Sequence, residues 1–245
     1  MKIALVTGGS KGIGLQVVLR LVTQGYNVIT CSRAKDTWMD VTKKYPELKA
    51  VDYQPVDISD EQQLESLFTH ITERYGKLDI AINNASPALA SRGYFPEVEV
   101  PLLKETLHVD FLCQALCLRS ELKLMEAGAS IVNVSSVNGI RPTPNASMYS
   151  AAKHALEGLT KSVALESIQS GIRINAVASG VTWTPRWEEK QLENANIRSD
   201  VSDVVPIKRF GEIDEIVNAI EFLLSDKASY IVGHTLVVDG GLSLA

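Results

Sequence analysis

Short, nearly unbroken apolar runs alternate along this chain with longer stretches in which apolar residues recur every three or four positions. Runs of the first kind suit strands buried on both faces, and the longer period suits helices with one buried stripe. The runs predict strands over 3–7, 27–31, 50–55, 78–83, 130–135, 173–178 and 235–238. The longer periods predict helices over 13–24, 61–75, 102–125, 148–170 and 213–224, the third apolar enough to pack against the sheet or a partner. Such alternation predicts an α/β fold, a doubly wound sheet of about seven parallel strands with helices on both faces. No repeat, low-complexity run or linker interrupts it, so residues 1–245 read as a single domain.

Composition then removes several classes of function. With 45% hydrophobic and 22% charged residues over 245 positions, the chain suits one soluble domain that buries most of its core. A net charge of -5 leaves no basic footprint, so nucleic acid is not an expected partner. No apolar span reaches the roughly 18 to 20 residues of a transmembrane helix, and the first strand begins at Ile3. A cytoplasmic protein that binds no membrane is expected. Cys31, Cys113 and Cys117 are too few and too apolar in setting for a disulfide framework. Cys113 and Cys117 are helix-spaced, but no third ligand accompanies them, and no metal is expected.

Two stretches carry chemistry. After the first strand, Thr7-Gly8-Gly9-Ser10-Lys11-Gly12-Ile13-Gly14 opens a helical pattern. Strand, glycine turn and helix form a dinucleotide-binding entry: glycines let the backbone approach a pyrophosphate, and free N–H groups at the helix start attract its charge. In the middle, Ser136 ends an apolar run thirteen residues before Tyr149, and Lys153 follows four later on the same helical face. An ammonium beside a phenol stabilises its phenolate and moves it toward working pH, while a hydroxyl holds a substrate oxygen. Such a trio protonates a carbonyl oxygen or deprotonates an alcohol once a hydride carrier is supplied.

The turn spacing T-G-x-x-x-G-x-G, together with Ser136 and the Tyr149-x-x-x-Lys153 pair, resembles the short-chain dehydrogenase/reductase family. The likeness runs the length of the chain, through Asp57-Ile58, Asn83-Asn84-Ala85, Asn175 and Val238-Asp239-Gly240-Gly241. It implies a Rossmann-like domain and hydride transfer between a nicotinamide cofactor and a carbonyl or secondary alcohol. Tyr149 is then the general acid/base, with Ser136 and Lys153 as partners. The implied cofactor contacts are Gly8, Ser10, Lys11, Gly12, Ile13 and Gly14 in the turn, Asp57 and Ile58 at adenine, Asn84 and Ala85, Gly180, Val181 and Thr184, with Tyr149 and Lys153 at the nicotinamide ribose. Asp57 as a cap of the next helix, and Asn83 as a partner for strand backbone, stay open. A homotetramer or dimer is also implied.

Cofactor preference follows from charge. The second strand ends Thr30-Cys31-Ser32-Arg33 with no acid before Asp36, so Ser32, Arg33 and Lys11 suit the 2′-phosphate of NADP(H). Three departures from the family pattern surround the same site: Asp110 for asparagine, Ser86 for glycine and Ser179 for proline. A carboxylate at Asp110 close to Lys153 would offset the charge that activates Tyr149, unless helix register points it elsewhere. Substrate loops are expected at 86–96, 137–147 and 182–206, the last carrying Trp183, Trp187 and Arg198 as a lid or as an amphipathic surface helix. Arg92 and Arg141 are open between substrate anion contacts and surface charges, and His154 points away from Lys153. The competing functions are a regulatory protein of the same fold without turnover and an NAD-dependent alcohol oxidiser.

Overall fold

The computed structural model describes residues 1–86 and 89–245. Its sheet contains β1 (Ile3–Thr7), β2 (Asn27–Ser32), β3 (Asp52–Pro55), β4 (Leu78–Asn83), β5 (Met125–Ser136), β6 (Arg173–Ser179) and β7 (Thr235–Val238). These lie in the order β3-β2-β1-β4-β5-β6-β7, every neighbouring pair parallel. The helices are α1 (Gly12–Thr23), α2 (Lys35–Lys44), α3 (Glu61–Tyr75), α4 (Val100–Leu107), α5 (Cys113–Leu122), α6 (Ser147–Ser167), α7 (Pro185–Glu193), α8 (Ile197–Val204) and α9 (Ile213–Leu224).

The apolar runs are unbroken because both faces of the sheet are covered. Alternate residues of β1 enter different cores: Ile3 and Leu5 join Leu67, Ile71 and Leu118 on the α3–α5 side. Ala4 and Val6 join Val17, Leu21, Ile216 and Ile220 on the α1–α9 side. Strand order reverses between β1 and β4, so the chains leaving those strands diverge and open a crevice at the carboxyl edge. Thr7, Asn83, Ser136 and Ser179 end β1, β4, β5 and β6 along that edge.

Several boundaries differ from the sequence expectation. Pro46–Ala50 is a 3-10 turn, so β3 starts at Asp52 rather than at residue 50. The long central helix starts at Val100, where Pro101 fits the first turn, and ends at Leu122. Its middle, His108–Leu112, is a π turn, a geometry that recurs at functional sites. Helix α2 has no bounds in the sequence reading, because only Trp38 is buried along it, stacked on Tyr53 with ring centroids 4.9 Å apart. The stretch 182–206, open between a lid and an amphipathic surface helix, holds two short helices, α7 and α8. Among the described residues no helix is long and apolar enough to cross a membrane.

Candidate active site

The glycine turn is shaped by contacts that exclude side chains. Gly12 has φ +59°, in the left-handed region that glycine tolerates. A Cβ on Gly14 would lie 2.3 Å from the Gly8 carbonyl oxygen, which only glycine avoids. Thr7 ties the turn to the end of β4: its hydroxyl accepts from Asn84 N–H (3.0 Å) and Ala85 N–H (3.1 Å). The Asn84 amide in turn donates to the carbonyls of Thr7 (3.0 Å) and Gly8 (3.2 Å). No side chain caps α1 and its first turn holds no acid, so its N–H groups face the crevice as an anion cradle. Ser10 is buried and Ile13 half-buried in this turn.

At the end of β2, the Ser32 hydroxyl lies 3.0 Å from the Tyr53 hydroxyl, and Arg33 is exposed beside it. Lys11 is also exposed, with Nζ 3.9 Å from Glu189 Oε1 on α7. Asp57 does not cap the following helix. Its carboxylate accepts from Ser59 N–H (3.0 Å) and Oγ–H (2.7 Å), whereas Asp60 caps α3. Ile58 is part of the core.

The central trio is assembled by close packing of Val137–Gly139 on α6. A Cβ on Gly139 would lie 2.9 Å from the Lys153 carbonyl oxygen, and Ser150 Oγ donates to the Asn138 carbonyl (2.7 Å). Ser136 ends β5 one residue earlier, its Oγ accepting from Asn138 N–H (3.2 Å). Tyr149 is half-buried, and Lys153 Nζ lies 5.6 Å from the Tyr149 ring centroid. Asp110 faces this site: its Oδ1 is 3.9 Å from Lys153 Nζ, both side chains 2% exposed. Ser86 donates to the same oxygen at 2.7 Å. Burial pushes the Asp110 carboxyl above its ordinary range, offset in part by Lys153, the Ser86 hydroxyl and the charge of Arg186.

Gly180, Val181 and Thr184 lead from β6 into α7. Gly180 donates to Val238 O (2.9 Å) and abuts Asp239, where a Cβ would meet Asp239 Cα at 2.7 Å. Ser179 Oγ, at the corner where the family pattern has proline, donates to Ser135 O at 3.3 Å. Thr184 and Pro185 sit 3.9 Å from the position of a Cβ on Gly12, so the start of α7 lies over the glycine turn. Arg186 on α7 donates to Ser86 O (3.1 Å). Trp183 and Trp187 meet Phe210 edge-on, at 5.0 and 5.1 Å, and so anchor α7 to the body of the protein.

Arg141 donates to Leu242 O (3.1 Å) and holds the C-terminal segment. Arg92 is exposed, and its charge reaches Lys190 on α7. His154 is bonded to the Ser150 carbonyl of its own helix, 2.8 Å away. Of the expected substrate loop 86–96, Pro87 and Ala88 lie outside the described residues.

A family model described as enoyl-(acyl carrier protein) reductase matches residues 8–243. The chain belongs to the short-chain dehydrogenase/reductase family. It is 34% identical to levodione reductase of Leifsonia aquatica over 255 residues, covering 100% of this chain and 95% of the relative. It is 34% identical to cis-4-hydroxycyclohexanecarboxylate dehydrogenase of Sinomonas cyclohexanicum over 244 residues, 98% of this chain and 96% of the relative. The structure of ElxO with NADP bound superposes with a TM-score of 0.93 at 30% identity, covering 100% of this chain and 99% of that one.

Within this short-chain dehydrogenase/reductase, one polar cluster escaped sequence reasoning. Glu121 is fully buried on α5 and accepts from the Asn83 amide (2.9 Å), which also donates to Asn133 Oδ1 (3.1 Å). Asn133 donates onward to Thr160 (2.9 Å). Asn83 therefore serves a buried side-chain network rather than the strand backbone. Its signal was present as an acid spaced four residues after Cys117 and eight after Cys113, on one apolar stripe. Burial raises the Glu121 carboxyl to about 7.

Proposed function

We propose that this chain is an NADP(H)-dependent oxidoreductase that reduces a carbonyl to a secondary alcohol, or runs the reverse oxidation. The observation that carries the reading is Lys153 Nζ 5.6 Å from the Tyr149 ring centroid on a helix packed against the segment that follows Ser136, with the start of α1 left uncapped at the same edge of the sheet. The turn fits a dinucleotide, because its close backbone approaches leave room only for glycine and its N–H groups have no side-chain cap. Gly8, Ser10, Lys11, Gly12, Ile13 and Gly14 would hold the pyrophosphate end. Ser32, Arg33 and Lys11 would hold the 2′-phosphate, and Asp57 and Ile58 the adenine. Asn84, Ala85, Gly180, Val181 and Thr184 would line the nicotinamide side. The bound cofactor supplies the hydride.

The chain's own residues manage the proton. Ser136 donates to the substrate oxygen and fixes its position. Tyr149 gives its phenolic proton to that oxygen as negative charge develops there, and the Lys153 ammonium offsets the charge left on the phenol. The stretch 182–206, anchored by Trp183 and Trp187, covers the substrate. We place the protein in the cytoplasm as a homotetramer or dimer.

NADPH oxidation is measured over a panel of ketones that includes 4-oxocyclohexanecarboxylate, since a relative carries the corresponding hydroxy acid in its name. Tyr149→Phe is expected to lower kcat at least about a hundredfold while leaving NADPH affinity within about threefold. Binding of NADPH without turnover of any ketone would sink the reading in favour of a non-enzymatic role.

A further inference from the structure

Two of the three departures from the family pattern touch each other. Ser86, in place of glycine, donates its hydroxyl to Asp110, in place of asparagine, at 2.7 Å. The carboxylate they share faces a lysine whose side chain is 2% exposed. An amide at 110 carries no exchangeable acid proton and a glycine at 86 has no hydroxyl, so neither residue alone makes this arrangement.

We propose that Ser86 and Asp110 form a proton port that refills the Lys153–Tyr149 pair from the solvent side of the crevice. Both are positioning residues that act through Lys153. This inference rests on the oxidoreductase reading above. Each carbonyl reduction consumes one proton, which leaves the Tyr149 hydroxyl for the substrate oxygen. Lys153 returns a proton toward Tyr149 and becomes a neutral amine. Asp110, as the neutral acid, gives its proton to that amine and becomes a carboxylate. Ser86, half-buried at the crevice, relays a solvent proton back to Asp110. One proton enters per turnover and none accumulates.

Three features support the assignment. The π turn His108–Leu112 carries Asp110 inward, to 1% exposure, from a helix that elsewhere faces the core with thiols. Burial favours the protonated carboxyl while Lys153, Ser86 and Arg186 favour the anion, and opposed influences are what a group that exchanges protons needs. Lastly, Arg186 on α7 holds the Ser86 carbonyl at 3.1 Å, so the covering helix steadies the port. The groups facing Asp110 are Lys153 from α6, Arg186 from α7, Ser86 from the segment after β4, and Cys113 from α5. Asp57 and Glu61 stand behind Cys113, and the neighbouring His108 is engaged with the Ser59 carbonyl at 2.9 Å.

The test compares full-length wild type, S86G, D110N and the S86G/D110N double variant. Two readouts are taken across pH: kcat for NADPH-dependent reduction, and the protonated-carboxyl stretch in infrared difference spectra. The port predicts a carboxyl band that D110N removes and that S86G shifts to higher pH, because the hydroxyl favours the anion. It predicts that D110N and S86G each displace the kcat–pH profile and lower kcat about tenfold, and that the double variant is no slower than D110N, since the two act in series. Single effects that multiply, an unmoved profile, or a band insensitive to S86G would overturn it. Wild type that consumes no NADPH overturns the oxidoreductase reading instead. The infrared titration then still decides whether Ser86 and Asp110 exchange protons as a pair.

Discussion

Arg33 and Lys11 are the residues proposed to hold the 2′-phosphate, and the structure puts them in different situations. Arg33 is exposed at the end of β2, while Lys11 is 3.9 Å from Glu189. A pair between side chains 60% and 70% exposed contributes little, so a phosphate would displace it readily. Arg33→Asp is expected to weaken NADPH binding by about tenfold to a hundredfold, the loss of one charge-assisted contact plus a new repulsion. Fluorescence titration with NADPH and NADH checks this, and tighter NADH binding by the unaltered protein would contradict the preference itself. Among the residues named from sequence, Tyr149 and Lys153 share a face because they lie four apart on α6, whereas Asp110 reaches Lys153 from a π turn of another helix and Ser136 ends a strand packed beside α6. Ser86 was legible only as a serine in place of glycine, and its bond to Asp110 was hidden because the two lie 24 positions apart.

The π turn and the buried stripe of α5 set the predictions at the level of elements. Glu121 is neutral-favouring in the fold, its carboxyl raised from 4.5 to about 7 by burial. A raised folded value contributes stability that is complete below the unfolded value and is lost as pH rises through the folded one. Wild type is therefore expected to lose on the order of 3 kcal/mol relative to Glu121→Gln between pH 4.5 and 7. Denaturant melts of both proteins across that window check it, and a constant difference would contradict it. Helix α7 gives a second expectation. Phe210, 2% exposed, is the surface on which Trp183 and Trp187 rest. Phe210→Ala should cost about 3 to 5 kcal/mol locally and raise KM more than it lowers kcat. Strand positions were legible because burial on both faces writes continuous apolar runs. The bounds of α2, α7 and α8 were not, since each buries too few residues to impose a period, and a surface helix within 182–206 stood only as one of two readings.

For the whole molecule, the doubly wound order follows from alternation of strands and helices, and the crevice follows from its reversal between β1 and β4. Assembly is the property furthest from the sequence. Leu107 and Leu112 on the long central helix are each 42% exposed, and Leu165 on α6 is 68% exposed. If these faces carry the subunit contacts, Leu165→Glu should shift the mass measured by light scattering toward monomer. The two ends of the chain stand in unequal positions. The N-terminal strand begins at the edge of the sheet remote from the chemistry, where Ile3 N–H is held by Asp79 at 2.7 Å. The last residues run back along the carboxyl edge: Asp239 accepts from Gly241 N–H (2.9 Å) and Ser243 N–H (2.7 Å), and Arg141 grips Leu242. Leu242 is buried against Val137 and Val205, one residue along from Ser136. A purification tag placed before Met1 would therefore sit at the opposite edge of the sheet from Ser136. The same tag fused after Ala245 would hang at the carboxyl edge and pull, through Leu242, on the Val137 segment that follows Ser136.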